Sequence, residues 1–441
     1  MSERGEKFDV IVVGAGPAGL SAAYLLAKEG VNVAVVERGD FPGSKNVMGG
    51  VLYRRPTEEI FPEFWKTAPL ERHLIETQAW VLTPESAFKA AHRHQAFAEP
   101  PAQDKDRGYN AFTVMRARFD KWMGQQARDA GALIIPETVV ESALMEGDHV
   151  LGVHTGRPDG DLYADVVIAA DGVNSLLAQN VGLRGELDPD QVALVVKEVI
   201  ALPRETIEDR FGLTGDQGAS IELYANASWG MVGTGFIYTN RDTLSIGCGA
   251  LLSQLVERQV TPDDLLEHMK SHPAVAPLLA GGETREFLAH LIPEGGLRAM
   301  PKLSTHGMLV VGDAAMMVNS MHREGSNLAL ASGRFAAQAV LRAREWSDYS
   351  ADSLAYYDQL IRDSSLYKDL YKYRNMARFF ESHPEFFSLY PDLLCEAARD
   401  MLTVDGVSKR TKQRRIFWGA LRRRMPWRMA LDFYGAWRSI A

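Results

Sequence analysis

Residues 8–38, "FDVIVVGAGPAGLSAAYLLAKEGVNVAVVER", decide the fold of the first part of this chain. The unbroken apolar run from Val10 to Val13 reads as a strand buried on both faces, the pattern of a parallel sheet. It stops at Gly14-Ala15-Gly16-Pro17-Ala18-Gly19, and the small and apolar residues that follow predict a helix and then a second strand ending at Glu37 and Arg38. Strand, glycine turn, helix and strand form a dinucleotide-binding unit. Gly14 permits the tight turn, Gly16 lets backbone approach a pyrophosphate, and Gly19 lets the helix pack close to the strand, with the helix N-terminus facing the anion. Ala23 and Gly30 are read as extending that small-residue face. The Glu37 carboxylate is placed to accept hydrogen bonds from both hydroxyls of an adenosine ribose, which argues against a 2′-phosphate. The fingerprint by itself leaves FAD and NAD open.

Two later segments narrow the choice. Residues 161–175, "DLYADVVIAADGVNS", and 306–341, "HGMLVVGDAAMMVNSMHREGSNLALASGRFAAQAVL", each run from a strand into a turn carrying an Asp. Asp171 with Gly172, and Asp313 with Gly312, are expected at the carboxyl edge of the sheet, where a doubly wound fold binds its ligand. Helix capping is the commoner role of a lone Asp, but three such elements in order favour one shared ligand, and an NAD site has no use for the third.

At this point the sequence resembles the FAD-dependent group that includes aromatic hydroxylases, geranylgeranyl reductases and electron-transfer-flavoprotein:quinone oxidoreductases. The resemblance covers most of the chain and implies FAD as cofactor. It implies that Asp313 bonds the ribityl chain and that Gly325, Ser326 and Asn327 turn backbone N–H groups toward the flavin pyrimidine, where a helix N-terminus favours the charge of a reduced ring. Arg118, in "VMRARFDKWMGQQARDAGA", matches the group's FAD-contacting arginine, and Val140 in "PETVVESAL" matches a position whose backbone meets the adenine. Lys45, Gly49 and Gly50, in "FPGSKNVMGGVLY", are expected near the isoalloxazine. Three segments, "GSKNVMGGVLY", "VVKEVIALPRETIEDRFGL" and "GMVGTGFIYTNRDTLSIGCGALL", are similar to FixC-type flavoproteins within that group. The basic tail has no counterpart motif in this comparison.

Composition agrees with such a reading. The chain has 441 residues, 46% of them hydrophobic, and can enclose a large ligand. Its two cysteines, Cys248 and Cys395, cannot supply the four thiolates of an iron–sulfur cluster. The eleven histidines show no metal-ligand spacing, His92 and His94 read as a solvated loop, and no catalytic or metal-binding side chain is assigned. A flavin that relays electrons needs none. His322 lies in the loop expected to meet the flavin, with a plain surface histidine as the competing reading.

The expected fold is α/β, α+β overall: a Rossmann-like FAD-binding domain of the glutathione-reductase and aromatic-hydroxylase type, with an inserted mixed β-sheet domain and a helical C-terminal region. The expected divisions are 1–75, 106–180 and 300–345 for FAD; 76–105 and 181–299 for the quinone-binding sheet; and 346–441 for the helices. Trp229, Met231, Phe236 and Tyr238 are candidate pocket or membrane-edge residues of that sheet, with plain core packing as the commoner role of such residues in strands.

The resemblance implies that the chain takes electrons from the alpha and beta subunits of an electron transfer flavoprotein and passes them to a membrane quinone. A separate ferredoxin-like iron–sulfur subunit is the expected neighbour, in a complex able to split electron pairs. A prenyl-chain reductase and a non-catalytic flavin-binding assembly partner are the alternative functions. The polar start "MSERGEKFD" and the lack of a long apolar run predict a cytoplasmic protein, peripheral to the inner face of the cell membrane.

The tail sharpens the last expectation. Residues 409–441 hold ten basic side chains and one acidic, a local +9, whereas the whole chain carries −9, so the other 408 residues sum to −18. No nucleic-acid fold accompanies the basic run, and an acidic body would repel phosphate backbones. Trp418, Trp427 and Trp437, spaced between the basic clusters, suit an interface with anionic lipid. An acidic ferredoxin-like subunit is the competing partner.

Overall fold

The computed structural model describes residues 7–45, 50–102, 107–158 and 160–440. The chain divides into two compact units. The first comprises 1–73, 109–192 and 291–371; the second comprises 74–108, 193–290 and 372–441. The helical region expected at 346–441 is thus shared between them, its first part belonging with the nucleotide fold.

In the first unit, β1 (Lys7–Val13), α1 (Pro17–Lys28) and β2 (Val33–Val36) form as the apolar pattern requires, with Val10 to Val13 and all of β2 buried. β1 lies between β2 and the strand Asp161–Ala169, which in turn pairs with Met308–Val310, and all these pairings are parallel. Leu133–Ile135 extends the sheet beyond β2. Register aligns the strand ends: Val13 faces both Val36 and Ala169, and Ala169 faces Val310. Consequently Gly14, Glu37, Asp171 and Asp313 all follow strands that stop on one edge of one parallel sheet, as the sequence predicts.

Helix packing completes this unit. The long helix Ser326–Trp346 lies against α1, and the approach is so close that a Cβ on Gly333 would stand 2.1 Å from the Ala18 carbonyl oxygen. The small-residue run "ALASG" is therefore a requirement of helix contact, not a composition accident. Gly19 serves likewise, since a Cβ there would meet the Gly14 carbonyl oxygen at 2.1 Å. Gly30 does not extend that face. α1 ends at Lys28, and Gly30, at φ 71°, belongs to the turn that follows, a backbone region open to glycine.

The second unit is an antiparallel sheet with its own core. Val192–Ala201, Thr243–Leu251, Gly233–Thr239 and Gln217–Ala225 lie side by side. The predicted turn "TNRD" joins the middle pair, closed by the Asn240 N–H donating to the Thr243 carbonyl at 2.9 Å. Thr261 caps the predicted helix Pro262–Ser271, accepting from the Asp264 N–H at 3.2 Å. Leu265, Leu266 and Met269 of that helix pack with Ile221, Ile237 and Ile246 of the sheet. Met231 and Phe236 are buried, Tyr238 stacks on Phe236 at 4.7 Å, and Trp229 stands exposed with left-handed backbone at φ 51°.

Candidate functional site

The nucleotide cradle is built from backbone. Gly14 has φ 102°, and a Cβ there would lie 2.3 Å from the Ala170 carbonyl oxygen, so no other residue fits without moving the neighbouring strand end. Gly16 precedes Pro17 as the helix cap and carries no side-chain cap, which leaves the first N–H groups of α1 for a ligand. Ala15 and Ala18 are buried beneath them.

Glu37 is buried, and its carboxylate holds the turn. One oxygen accepts the Ala15 N–H at 2.8 Å and the other accepts the Gly39 N–H at 2.7 Å. A carboxylate has about four acceptor positions, so these two bonds leave acceptor capacity for a ligand hydroxyl. Arg38, beside it, is exposed, as is Lys45. Gly49 lies outside the described residues, whereas Gly50 is buried and its carbonyl accepts the Val114 N–H at 2.9 Å. Val140, half-buried, opens the strand Val140–Glu146.

The two aspartates differ. Asp171 binds the following turn, accepting from the Leu177 N–H and the Ser175 hydroxyl, each at 3.1 Å, and so caps the short helix Leu176–Asn180. Burial raises its pKa, and those two bonds oppose the rise. Asp313 follows Gly312, whose N–H donates to the Ser332 hydroxyl at 2.9 Å and whose φ is 61°. That bond seats the turn on the long helix. Burial pushes the Asp313 carboxyl up to about 6, against the pull of the Arg116 guanidinium.

Arg116 is the residue that sequence reasoning missed. It is buried, it grips Asp120 with two bonds of 2.8 and 2.7 Å, and its remaining terminal nitrogen lies 3.5 Å from the Ser326 hydroxyl. Burial would lower its pKa, but Asp120 outweighs that and holds it above the usual value. Arg118 points elsewhere: its side chain is 71% exposed and lies 3.4 Å from Glu71. The structure therefore brings Arg116, not Arg118, together with Asp313 and Ser326. The discriminating signal is periodic, since Arg116, Phe119, Asp120, Met123 and Ala127 form the buried stripe of the helix Arg116–Asp129 and Arg118 falls off it.

Between Asp313 and the long helix the chain makes a small loop. Asn319 and Glu324 exchange backbone bonds of 2.9 and 3.1 Å, and the Asn319 side-chain oxygen accepts the His322 N–H at 3.4 Å. Gly325 then caps the helix without a side-chain partner, so the N–H groups of Ser326 and Asn327 begin it. His322 is exposed; His92 and His94 are exposed too, and the His94 ring accepts the Ala96 N–H at 3.1 Å as a local cap. No group of three or more metal-ligating side chains occurs among the described residues.

Comparison with known proteins agrees with this geometry. Residues 7–211 match the family "FAD binding domain", and residues 376–441 match the "ETF-QO/FixC family C-terminal domain". The chain is 44% identical to Protein FixC of Azotobacter vinelandii over 99% of both chains, and 47% identical to Protein FixC of Bradyrhizobium diazoefficiens over 93% of both. This chain belongs to the FixC family. The probable electron transfer flavoprotein-quinone oxidoreductase YdiS of Escherichia coli is 41% identical over 91% of this chain and 92% of its own. A geranylgeranyl bacteriochlorophyll reductase-like protein of Thermoplasma acidophilum shares the fold, with a TM-score of 0.71 at 19% identity over 96% of this chain and 97% of the other.

As a FixC-family member the chain is an FAD-dependent oxidoreductase. Its residues fit the cofactor: a Cβ-free turn beneath α1, a buried acid at the end of β2, and Asp313 with Arg116 further along the same edge. FAD supplies the redox chemistry when bound, and the chain supplies position and charge. The basic tail lies within the residues that match the family's C-terminal domain.

That domain belongs to the second unit. Helices Lys409–Arg423 and Pro426–Ile440 are fastened back by Arg424, which pairs with Asp432 through two bonds of 2.8 Å and with Glu385 at 2.6 Å. Lys412 is buried and bonds the Thr403 carbonyl at 2.7 Å and Asp405 at 2.8 Å. Trp418, Trp427 and Trp437 are 58, 60 and 64% exposed. No described helix is long and apolar enough to cross a membrane.

Proposed function

We propose that this chain accepts electrons from an electron transfer flavoprotein and passes them to a membrane quinone. The observation that carries this reading is identity of 41–47% across nearly the whole chain to FixC proteins and to YdiS, a protein named for electron transfer flavoprotein and quinone. The site is consistent with it, because the described residues of the sheet edge offer binding groups and no nucleophile–base pair, which suits an electron relay. Gly14 to Gly19 hold the pyrophosphate, Glu37 the ribose, Asp313 the ribityl chain, and Gly325 to Asn327 the pyrimidine. Arg116 sets the charge and position of the Asp313 and Ser326 side of the site.

Two further parts belong to the proposal. A ferredoxin-like subunit carries the iron–sulfur cluster, since Cys248 and Cys395 are both buried and unsuited to one. The complex it forms splits electron pairs between quinone and a low-potential acceptor. The C-terminal helices place the protein on the inner face of the membrane: the exposed Trp side chains suit the headgroup region, and Arg410, Arg414, Arg415, Arg422, Arg428 and Arg438 are exposed beside them. The membrane reading is favoured over a protein dock because aromatic and basic residues alternate on one helical pair.

The deciding experiment is native purification with a count of flavin and iron. Co-purification of two electron transfer flavoprotein subunits and a small iron–sulfur protein, with quinone reduction by the complex, is the expected result. A purified chain without flavin absorption that takes up no added FAD overturns the reading.

A further inference from the structure

Glu294 is a buried acid that no step above uses. It follows the strand Glu283–Pro293, and its N–H donates to the Gln191 carbonyl at 2.8 Å, which fixes the backbone where the strand turns. The residue keeps a little surface, but its carboxyl is enclosed, hydrogen-bonded to Ser320 and facing the charge of Arg323. Both partners sit in the loop that the Asn319 and Glu324 backbone bonds close, between Asp313 and the start of the long helix. Arg323 holds left-handed backbone at φ 51°, an unfavourable state for a residue with a side chain, and Asn319 leaves its buried amide nitrogen without a partner. A structure serving packing alone has no need to set an arginine and an unsatisfied amide of one short loop beside an enclosed acid.

From this cluster we infer that Glu294 is the group that takes up a proton when electrons arrive at the flavin site and passes it on toward the quinone. The inference rests on the quinone reading for the destination of that proton. Burial pushes the Glu294 carboxyl up to about 7, against the hydrogen bond of Ser320 and the charge of Arg323. At neutral pH the acid therefore stands near half-protonation, and negative charge arriving nearby raises its affinity for a proton further. Arg323 is the charge that opposes this. His322 and Glu324 flank it in the loop, Arg298 follows Glu294 in the short helix Gly296–Ala299, and Asp188 and Asp190 precede Gln191. A quinone becomes a quinol by gaining two electrons and two protons. The electrons come from the donor flavoprotein by way of the bound cofactor, one proton comes from the Glu294 carboxyl, the second comes from solvent, and the carboxylate left behind regains its proton from water.

The test uses the FAD-loaded full-length protein and Glu294→Gln. Proton uptake on reduction is read with an indicator dye in weakly buffered solution, and the flavin midpoint potential is measured as a function of pH. The expected result is that the variant takes up fewer protons near pH 7, by on the order of half a proton per electron pair, with a flatter potential–pH slope there. Glu294→Asp restores part of the uptake. Equal uptake and equal slopes in wild type and Glu294→Gln overturn the inference. If Glu294→Gln does not retain FAD, the reduced-minus-oxidised infrared spectrum of wild type labelled with carbon-13 glutamate decides: a protonated glutamate band gained on reduction and displaced in Glu294→Asp supports it, and none overturns it. Wild type that shows Glu294-dependent uptake but reduces no quinone defeats the quinone reading and leaves proton uptake standing.

Discussion

The cradle at the start of the chain and the helix pair at its end follow opposite rules. Around Gly14 the contacts are between backbones, space is absent, and a single Cβ would strike a carbonyl oxygen at 2.3 Å. In the Lys409–Ile440 helices many large side chains are exposed, and the fastening combines Lys409, Lys412, Arg423 and Arg424 on acidic or carbonyl partners with the Phe433 ring against Phe386 and Tyr390. Backbone shape fixes the first region, whereas ion pairs and a few ring contacts hold the second. The first therefore tolerates almost no substitution, whereas the second responds in proportion to how many groups are removed and to the salt concentration.

The contrast can be broken most directly at Gly14. Gly14→Val is expected to abolish FAD retention, read as loss of the visible flavin spectrum after purification, while the second unit keeps its antiparallel circular-dichroism signature. A variant that binds FAD normally would show that backbone closeness does not govern this turn. The next effect concerns the two neighbouring arginines. Arg116→Ala leaves Asp120 buried without its charge partner and should lower stability by about 3–5 kcal/mol, with weakened FAD binding. Arg118→Ala removes a mostly exposed guanidinium 3.4 Å from the buried Glu71 and should cost less, about 1 kcal/mol or under. Equal losses, measured by denaturant unfolding, would contradict the burial difference.

The smallest effect sharpens the other side of the comparison. Replacing Trp418, Trp427 and Trp437 together by Ala should reduce partitioning onto vesicles containing anionic lipid by on the order of tenfold, with unchanged FAD content. Raised salt should reduce wild-type binding as well. Sedimentation with vesicles measures both. Undiminished binding by the triple variant, or by a chain ending after Val407, would remove the tail from the membrane.

The ease of reading these regions in the sequence differs for physical reasons. β1, α1 and β2 are legible because a glycine spacing, an apolar run and a terminal acid all lie within thirty-one residues. The same is true of Asp171 and Asp313, each marked by a strand running into a turn. Choosing between Arg116 and Arg118 is harder. The two are chemically identical and two residues apart, and only the helical stripe that includes Phe119 and Met123 shows which of them is buried. Glu294 carries no local mark at all, since Ser320 and Arg323 reach it from a loop distant in sequence. The aromatic and basic content of the tail is plain to read, yet Arg424 looks like any other arginine of its cluster until Asp432 and Glu385 are seen to hold it.

The two N–H bonds accepted by Glu37 have a consequence for how the cofactor enters. They tie the glycine turn to the end of β2 from within the chain, so the turn has its binding geometry before any ligand arrives. The ligand's association energy is then not spent on ordering a loose segment, and docking proceeds nearer to lock-and-key than to coupled folding. A flavin analogue that keeps the adenosine half should therefore seat on the same turn whatever the potential of its ring.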